Sequence, residues 1–252
     1  MFMRFLQLKL DPGHIADFKD FYESDVMGEL HNTHGCLFAG LIKSKPDENE
    51  FISLTFWQTQ TQAEKYESSE AYKKLLAQAK TYLSESTEWK IQLSENSELQ
   101  YSPVDEEPVI KKYVVAVKNE SNDEFMAHSS DMFVRVLSLT IQEDKLDEFK
   151  KLYSEIVIPT LKLINGCRYI FLTESVNEKN VFISVTIWDR KEDADEYESS
   201  GKFQEITDKV KHTFSQLYLW KMSLEKNYSA KVSTSEDFKV DGYNIVTGKS
   251  FL

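Results

Sequence analysis

The sequence predicts an α+β fold made of two tandem ferredoxin-like βαββαβ units, and three observations predict it. Phe51-Ile52-Ser53-Leu54-Thr55-Phe56-Trp57 returns as Phe182-Ile183-Ser184-Val185-Thr186-Ile187-Trp188. Nine residues after each Trp stands Tyr66-Glu67-Ser68-Ser69 in one copy and Tyr197-Glu198-Ser199-Ser200 in the other. The offset of 131 residues holds without a gap from Arg4 to Asn96, and it pairs Gly35-Cys36 with Gly166-Cys167 and Trp89-Lys90 with Trp220-Lys221. Self-similarity at a fixed offset is read before any single element, and here it marks a duplicated domain.

The elements follow in order within a unit. Residues 3–10 alternate as a strand, with Leu6, Leu8 and Leu10 on one face and Phe5, Gln7 and Lys9 on the other. Asp11-Pro12-Gly13 turns the chain. A first helix begins near His14 and buries Ile15, Phe18, Tyr22 and Val26, for which the second copy uses Leu146, Phe149, Tyr153 and Val157. Gly28 in one copy and Pro159 in the other predict a kink at the same place. A second strand from Cys36 and a third over the repeated segment form a hairpin across a polar loop. A second helix over 62–83 is expected to break at Ser68-Ser69, where Ser can cap a new turn. Residues 88–93, with Trp89, Ile91 and Leu93 on one face, read as strand four.

The expected boundaries are 1–96 for the first domain, 97–131 for a connecting segment with an extra strand, 132–227 for the second domain and 228–252 for a C-terminal extension. In the connecting segment Tyr113-Val114-Val115-Ala116-Val117-Lys118 alternates like a strand, and the extension echoes it in Tyr243-Asn244-Ile245-Val246. Each extension is expected to add an edge strand or to wrap the neighbouring unit. A flexible linker has no need of such apolar alternation.

Bulk properties exclude several functions. The 252 residues are 41% hydrophobic, enough for two small cores, and the formal charge is −12. No Lys/Arg cluster has the density of a nucleic-acid footprint, so no nucleic acid is expected as partner. No apolar run approaches the ~20 residues that span a bilayer. The start of the chain alternates instead of holding the unbroken apolar core of a signal peptide, so a cytoplasmic protein without a membrane partner is expected. Cys36 and Cys167 recur as small buried residues, and no His recurs beside them as a catalytic thiol requires. The eight glycines form no phosphate loop.

A strand ending in Trp, a polar helix start, an aromatic nine residues on and then Ser resembles the antibiotic biosynthesis monooxygenase family of the dimeric α/β barrel superfamily. Ile158-Pro159-Thr160-Leu161 before Gly166-Cys167 is similar to that family's Pro-containing end of helix one. The resemblance covers about 90 residues of each copy. It implies that two sheets pack face to face, here as a pseudo-dimer within one chain. It also implies a ligand cleft between each sheet and its own helices. Members include oxygenases that oxidise quinol-like or polyketide aromatics without metal or cofactor, haem-degrading enzymes, and many proteins of unknown role. The haem-degrading branch places a His ten residues after the helix aromatic and an Asn on strand one. Leu76, Thr207, Leu6 and Leu137 stand there instead, so haem degradation is disfavoured.

The expected function is therefore that of a small-molecule-binding, oxygenase-like protein, a cofactor-independent monooxygenase of an aromatic or quinol-type substrate. The alternative is a non-catalytic ligand-binding or stress-response barrel. No cofactor and no metal is expected, and the partner is a small aromatic or apolar molecule. A homo-oligomer assembled on sheet edges and tails stays open. Tyr66 and Tyr197 are the first candidates to line a cleft, with hydroxyls that orient a phenolic ligand. Trp57, Trp188, Tyr22 and Tyr153 are further candidates, as are Trp89 and Trp220, although aromatics at a helix-sheet boundary more often form core. Arg4 and Arg135 share a strand face with the paired leucines and suit an anionic or enolate oxygen, a solvated strand end or a salt bridge. His31 and His34 occur in the first unit alone, and a base there would make that unit the active one.

Overall fold

Alternating apolar residues put Phe2–Lys9 into strand β1, and the chain then turns through Asp11, whose carboxylate accepts the Gly13 N–H. The computed structural model describes residues 1–84, 89–93, 99–103, 108–119, 132–228 and 238–251. In the first unit β1 leads to helices α1 (Ile15–Phe21) and α2 (Met27–Asn32), strands β2 (Cys36–Ser44) and β3 (Glu50–Trp57), and helices α3 (Gln60–Glu67) and α4 (Glu70–Ala79). Strands β4 (Trp89–Leu93), β5 (Leu99–Pro103) and β6 (Val109–Lys118) follow. The second unit repeats the order as β7 (Phe133–Thr140), α5 (Leu146–Leu152), α6 (Ile158–Leu161), β8 (Cys167–Ser175), β9 (Val181–Trp188), α7 (Lys191–Ser199) and α8 (Lys202–Val210). It ends with α9 (Gln216–Tyr228) and β10 (Phe238–Ser250).

Eight strands close into an antiparallel barrel in the order β1-β3-β2-β10-β7-β9-β8-β6. Each unit contributes half: β6-β1-β3-β2 is one ferredoxin-like sheet and β10-β7-β9-β8 the other. The predicted intramolecular α/β barrel is therefore the architecture. The expected fourth strand is not. Residues 89–93 pair with β5 in a separate two-stranded sheet, and the offset partner of that segment lies in helix α9. The extension strands take the fourth place, with Arg4 opposite Lys112 on one side and Arg135 opposite Gly242 on the other. The reason is compositional: 216–228 has no β-branched residue and is rich in Leu, Lys, Glu and Met, which favours helix, whereas 109–118 alternates over ten residues with four Val and one Ile.

Both extension strands carry a bulge, between Val115 and Val117 in β6 and between Ile245 and Thr247 in β10. Each follows its own unit over its first part, 109–114 on β1 and 238–244 on β7, and from 113 or 243 onward pairs with the second strand of the other, β8 or β2, with the bulge inside that second pairing. The extensions thus wrap onto the neighbouring unit, the second of the two expected outcomes, and close the barrel's edges; the β4-β5 sheet lies outside that closure.

The predicted kink is also displaced. The first helix runs through Gly28 and Pro159, and its irregularity is a π turn just before them, Tyr22–Val26 and Tyr153–Val157. Met27 N–H bonds back to Tyr22 and Ile158 N–H to Tyr153, five residues away in each case. The widened turn delivers the chain to Pro159 at the start of α6, where a missing N–H costs little. The break at Ser68-Ser69 occurs as expected, with Ser69 Oγ accepting the Tyr72 N–H at 3.1 Å; its counterpart is Gly201 at φ +81°.

Four apolar clusters result among the described residues, one of them around Phe2, Trp57, Ala63 and Tyr66 in the first unit. Phe5, Phe56, Phe171 and Val185 are among those that fill the barrel. Leu6, Leu8, Phe18 and Tyr22 lie between sheet and helices in the first unit, and Leu137, Leu139, Phe149 and Tyr153 in the second.

Candidate functional site

The helix-facing side of β1 and β3 carries polar groups at its middle. The β1–β3 register sets Arg4 opposite Thr55 and Leu6 opposite Ser53. Tyr22, the first residue of the π turn, shares a hydrogen bond of 2.8 Å with Ser53 Oγ. Trp57 Nε1 donates to Thr55 Oγ1 at 2.9 Å. The Ser and Thr repeated in both copies of the opening motif therefore satisfy the polar tips of a buried Tyr and Trp. Arg4 is 2% exposed. Its Nη2 donates to Tyr72 Oη, its guanidinium lies 4.8 Å from the Tyr72 ring centroid, and its Nε has no hydrogen-bond partner among the described residues. Tyr66 packs 5.3 Å from both Trp57 and Tyr72. A cleft of about 40 Å³ remains, with Arg4, Tyr22, Tyr66 and Tyr72 at its polar end and Leu75 and Leu76 of α4 on its wall. That is room for water, well under the ~300 Å³ of a typical ligand pocket.

The second unit repeats this with one change of charge. Tyr153 shares a 2.7 Å hydrogen bond with Ser184, and Trp188 Nε1 donates to Thr186 at 2.9 Å. Arg135 Nε donates to Glu198 Oε1 at 2.6 Å, and Phe203 stands where Tyr72 stands in the first unit, 4.4 Å from the guanidinium. The cleft encloses about 30 Å³. The first unit has the equivalent carboxylate, Glu67, but Lys112 on β6 holds it at 2.7 Å. Lys112 is the residue opposite Arg4; the residue opposite Arg135 is Gly242, which has no side chain to divert Glu198.

Titration is governed by burial. It pushes the hydroxyls of Tyr22, Tyr66, Tyr153 and Tyr197 well above the ordinary tyrosine value, with Ser53, Ser184 and the arginines pulling only partly back. Tyr72 is raised for the same reason. The Cys36 and Cys167 thiols are pushed up to about 12. Neither Cys is a nucleophile at neutral pH, and the tyrosines there are donors, not bases.

Of the residues singled out from sequence, Arg4, Tyr22 and Tyr66 converge on one cleft and Arg135, Tyr153 and Tyr197 on the other. Trp57 and Trp188 do not line them: both are fully buried behind Tyr66 and Tyr197 because their strand ends under the helix start. His31 and His34 lie outside as well. His31 is exposed on α2 and meets Phe251 at 5.2 Å, and His34 is exposed in the turn that follows the helix. Trp220 is 59% exposed on α9, and the side chain of Trp89 lies outside the described residues. Sequence reasoning missed Tyr72, Ser53, Glu67, Glu198 and Lys112. The mismatch of Tyr72 with Phe203 in the repeat was the available signal. At the barrel mouth a further cavity of about 300 Å³ is lined by polar groups including Gln7, Lys111, Glu178 and Asp241.

Against known proteins, the family profile described as antibiotic biosynthesis monooxygenase matches residues 1–78 and 132–209. No curated protein matches the chain significantly in sequence. Among solved structures, a candidate monooxygenase from Fusobacterium nucleatum superposes with a TM-score of 0.67 at 10% identity, over 99% of this chain and 94% of that one. A candidate monooxygenase from Lactobacillus acidophilus gives 0.66 at 6% identity, over 99% and 96%. An anthrone oxidase-like protein gives 0.61 at 12%, over 99% and 92%. At these identities the likeness is one of fold.

Proposed function

The chain belongs to the antibiotic biosynthesis monooxygenase family, and from that premise we propose that it is a cofactor-independent monooxygenase of an aromatic or quinol-type small molecule, with its site in the first cleft. The observation that supports this reading is the make-up of that cleft. An apolar wall from Leu75, Leu76 and Phe18 faces a cluster of one buried guanidinium and three tyrosine hydroxyls. Such a site takes a flat apolar body and orients its oxygens.

The chemistry asks the substrate to act as reductant. A methylene between aromatic rings gives up a proton to solvent water, the carbanion, delocalised as an enolate, adds dioxygen, and the peroxide anion takes a proton back from water. The hydroperoxide formed then eliminates water, so one oxygen atom ends in a new carbonyl and the other in water. Among the described residues no carboxylate or imidazole lines the cleft. Arg4 therefore acts on the substrate's acidity, stabilising the enolate oxygen, while the tyrosines, held protonated by burial, donate hydrogen bonds to it. Entry requires α4 to swing from the sheet about Ser68-Ser69, because about 40 Å³ does not hold an aromatic ring.

A second reading, a barrel without catalysis, is favoured by that same closure and by the neutralised Arg135 of the second cleft. Oxygen uptake separates the two. Against a panel of anthrones and quinols, with no metal, flavin or haem added, the first reading expects uptake that Arg4→Gln abolishes and Arg135→Gln leaves in place. No uptake across the panel rejects it in favour of the second.

A further inference from the structure

Resting on the reading of the first cleft as the ligand site, we infer that this cleft is built for a ligand bearing an anionic oxygen on an aromatic body, and that the second cleft is closed to such ligands by Glu198. A buried guanidinium without a counter-charge is costly, and proteins ordinarily pair it. Arg135, 4% exposed, follows that rule: Glu198 supplies the carboxylate at 2.6 Å. Arg4, 2% exposed, breaks it. Among the described residues no carboxylate forms an ion pair with Arg4, and a tyrosine hydroxyl and ring are its partners; each arginine keeps one buried nitrogen without a partner, Nε in Arg4 and Nη2 in Arg135, so the missing carboxylate is what sets Arg4 apart.

The unpaired state is maintained by a particular device. Glu67 occupies the same repeat position as Glu198, and Lys112 holds it at 2.7 Å from the facing strand. The ligand's anion takes the place that Glu198 fills in the other unit. A carboxylate and a phenolate or enolate share this chemistry, since each offers lone pairs to two guanidinium N–H groups. In the proposed reaction the same group is the enolate oxygen. Leu75 and Leu76 supply the apolar contact for the ring.

Binding of benzoate, of para-nitrophenolate and of neutral benzyl alcohol to the full chain, followed by calorimetry, tests this. One benzoate per chain is expected, bound tighter than benzyl alcohol by on the order of 10- to 100-fold, the ratio of a charge-assisted hydrogen bond. The preference of benzoate over para-nitrophenolate, or the reverse, names the source of the anion. Arg4→Gln removes the advantage over benzyl alcohol. Two partly exposed positions give the test without touching the core. Glu198→Gln uncovers a second benzoate site, and Lys112→Met frees Glu67 to close the first, lowering affinity to that of benzyl alcohol. The inference is overturned by equal affinity for benzoate and benzyl alcohol, by two sites in the unaltered chain, or by Glu198→Gln and Lys112→Met leaving stoichiometry and affinity unchanged. Oxygen uptake on the panel with no binding of benzoate or para-nitrophenolate rejects this inference alone. Anion binding as expected without oxygen uptake rejects the oxygenase reading alone.

Discussion

Replacing Tyr22 by Phe probes how tightly the first cleft is sealed. The Tyr22 and Ser53 hydroxyls lie 2.8 Å apart on residues 1% and 5% exposed. The substitution removes one hydrogen bond and leaves Ser53 Oγ buried without a partner, which together cost about 2 kcal/mol. Ser53→Ala strands the Tyr22 hydroxyl and costs a similar amount. The double variant strands nothing, and its cost falls to about 1 kcal/mol. The cycle therefore yields a coupling of roughly 3 kcal/mol between the two positions. Urea unfolding at unchanged slope measures it, and each single variant should also melt some 4–8 °C lower, taking ~2–4 °C per kcal/mol at this chain length. Additive energies would refute the reasoning. They would mean that water reaches both hydroxyls through the 40 Å³ void, and that the cleft stands open in the unliganded protein.

Other expectations follow from single features. Gly166 has φ +80°, and a Cβ there would lie 2.6 Å from Asp193, so Gly166→Ala should destabilise by about 2 kcal/mol or more; Gly28→Ala, in a helix with nothing within 4 Å, should stabilise by ~0.5–1 kcal/mol. Thermal melts of the two variants decide this by the opposite signs of their shifts. Burial raises the buried tyrosines and both thiols above their unfolded values, so the folded state keeps protons that the unfolded chain releases. The contribution of these groups should hold constant below about pH 8 and fall as pH climbs through the range between the unfolded and folded values, up to about 12 for the thiols; denaturation midpoints across alkaline pH measure this, and a flat profile there contradicts it. Deleting residues 238–250 uncovers β2 and β7 as open edges and should give aggregates in light scattering with loss of near-ultraviolet dichroism, where a stable monomer would contradict the closed barrel.

Much of the barrel was legible because its signals are local. Alternation in 2–9 and helical spacing from Ile15 to Val26 are properties of short windows, and the repeat doubled each of them. The fourth strand was read only in part for the same reason: 89–93 forms the expected strand but outside the barrel, and its repeat at 220–224 is helical. Trp89-Lys90 and Trp220-Lys221 keep the repeat's register, yet a window of five or six residues does not tell a strand from a helix, and the surrounding thirteen residues of 216–228 decide for helix. Pro159 was read as a breaker, whereas the π turn before it removes the conflict, and that depends on hydrogen bonding five residues back. Within the clefts Arg4, Tyr22 and Tyr66 were legible as repeated polar residues on apolar faces. Glu198 was not, since it sits in an exposed helical run, and its partner lies 63 residues away in sequence.

The two clefts are alike where the family match runs and unlike because of residues beyond it. Arg4, Tyr22 and Glu67 fall within 1–78, and Arg135, Tyr153 and Glu198 within 132–209. Lys112 and Gly242, which decide whether the glutamate reaches the arginine, lie in β6 and β10, outside both regions. A symmetric dimer of a single unit would present the same fourth-strand residue to both arginines. Once both units share a chain, the two fourth strands can differ, and Lys112 in one and Gly242 in the other stand at the same register position, beside a further difference of Tyr72 against Phe203 in the pockets themselves. Exchanging the two, Lys112→Gly together with Gly242→Lys, should therefore move anion binding from the first cleft to the second, provided the lysine fits: a Cβ at Gly242 lies 2.5 Å from the Phe133 ring, so that ring must yield. Adding Phe133→Leu gives the room, and a chain that then still binds benzoate through Arg4 would show that charge on the fourth strand is not what separates the clefts.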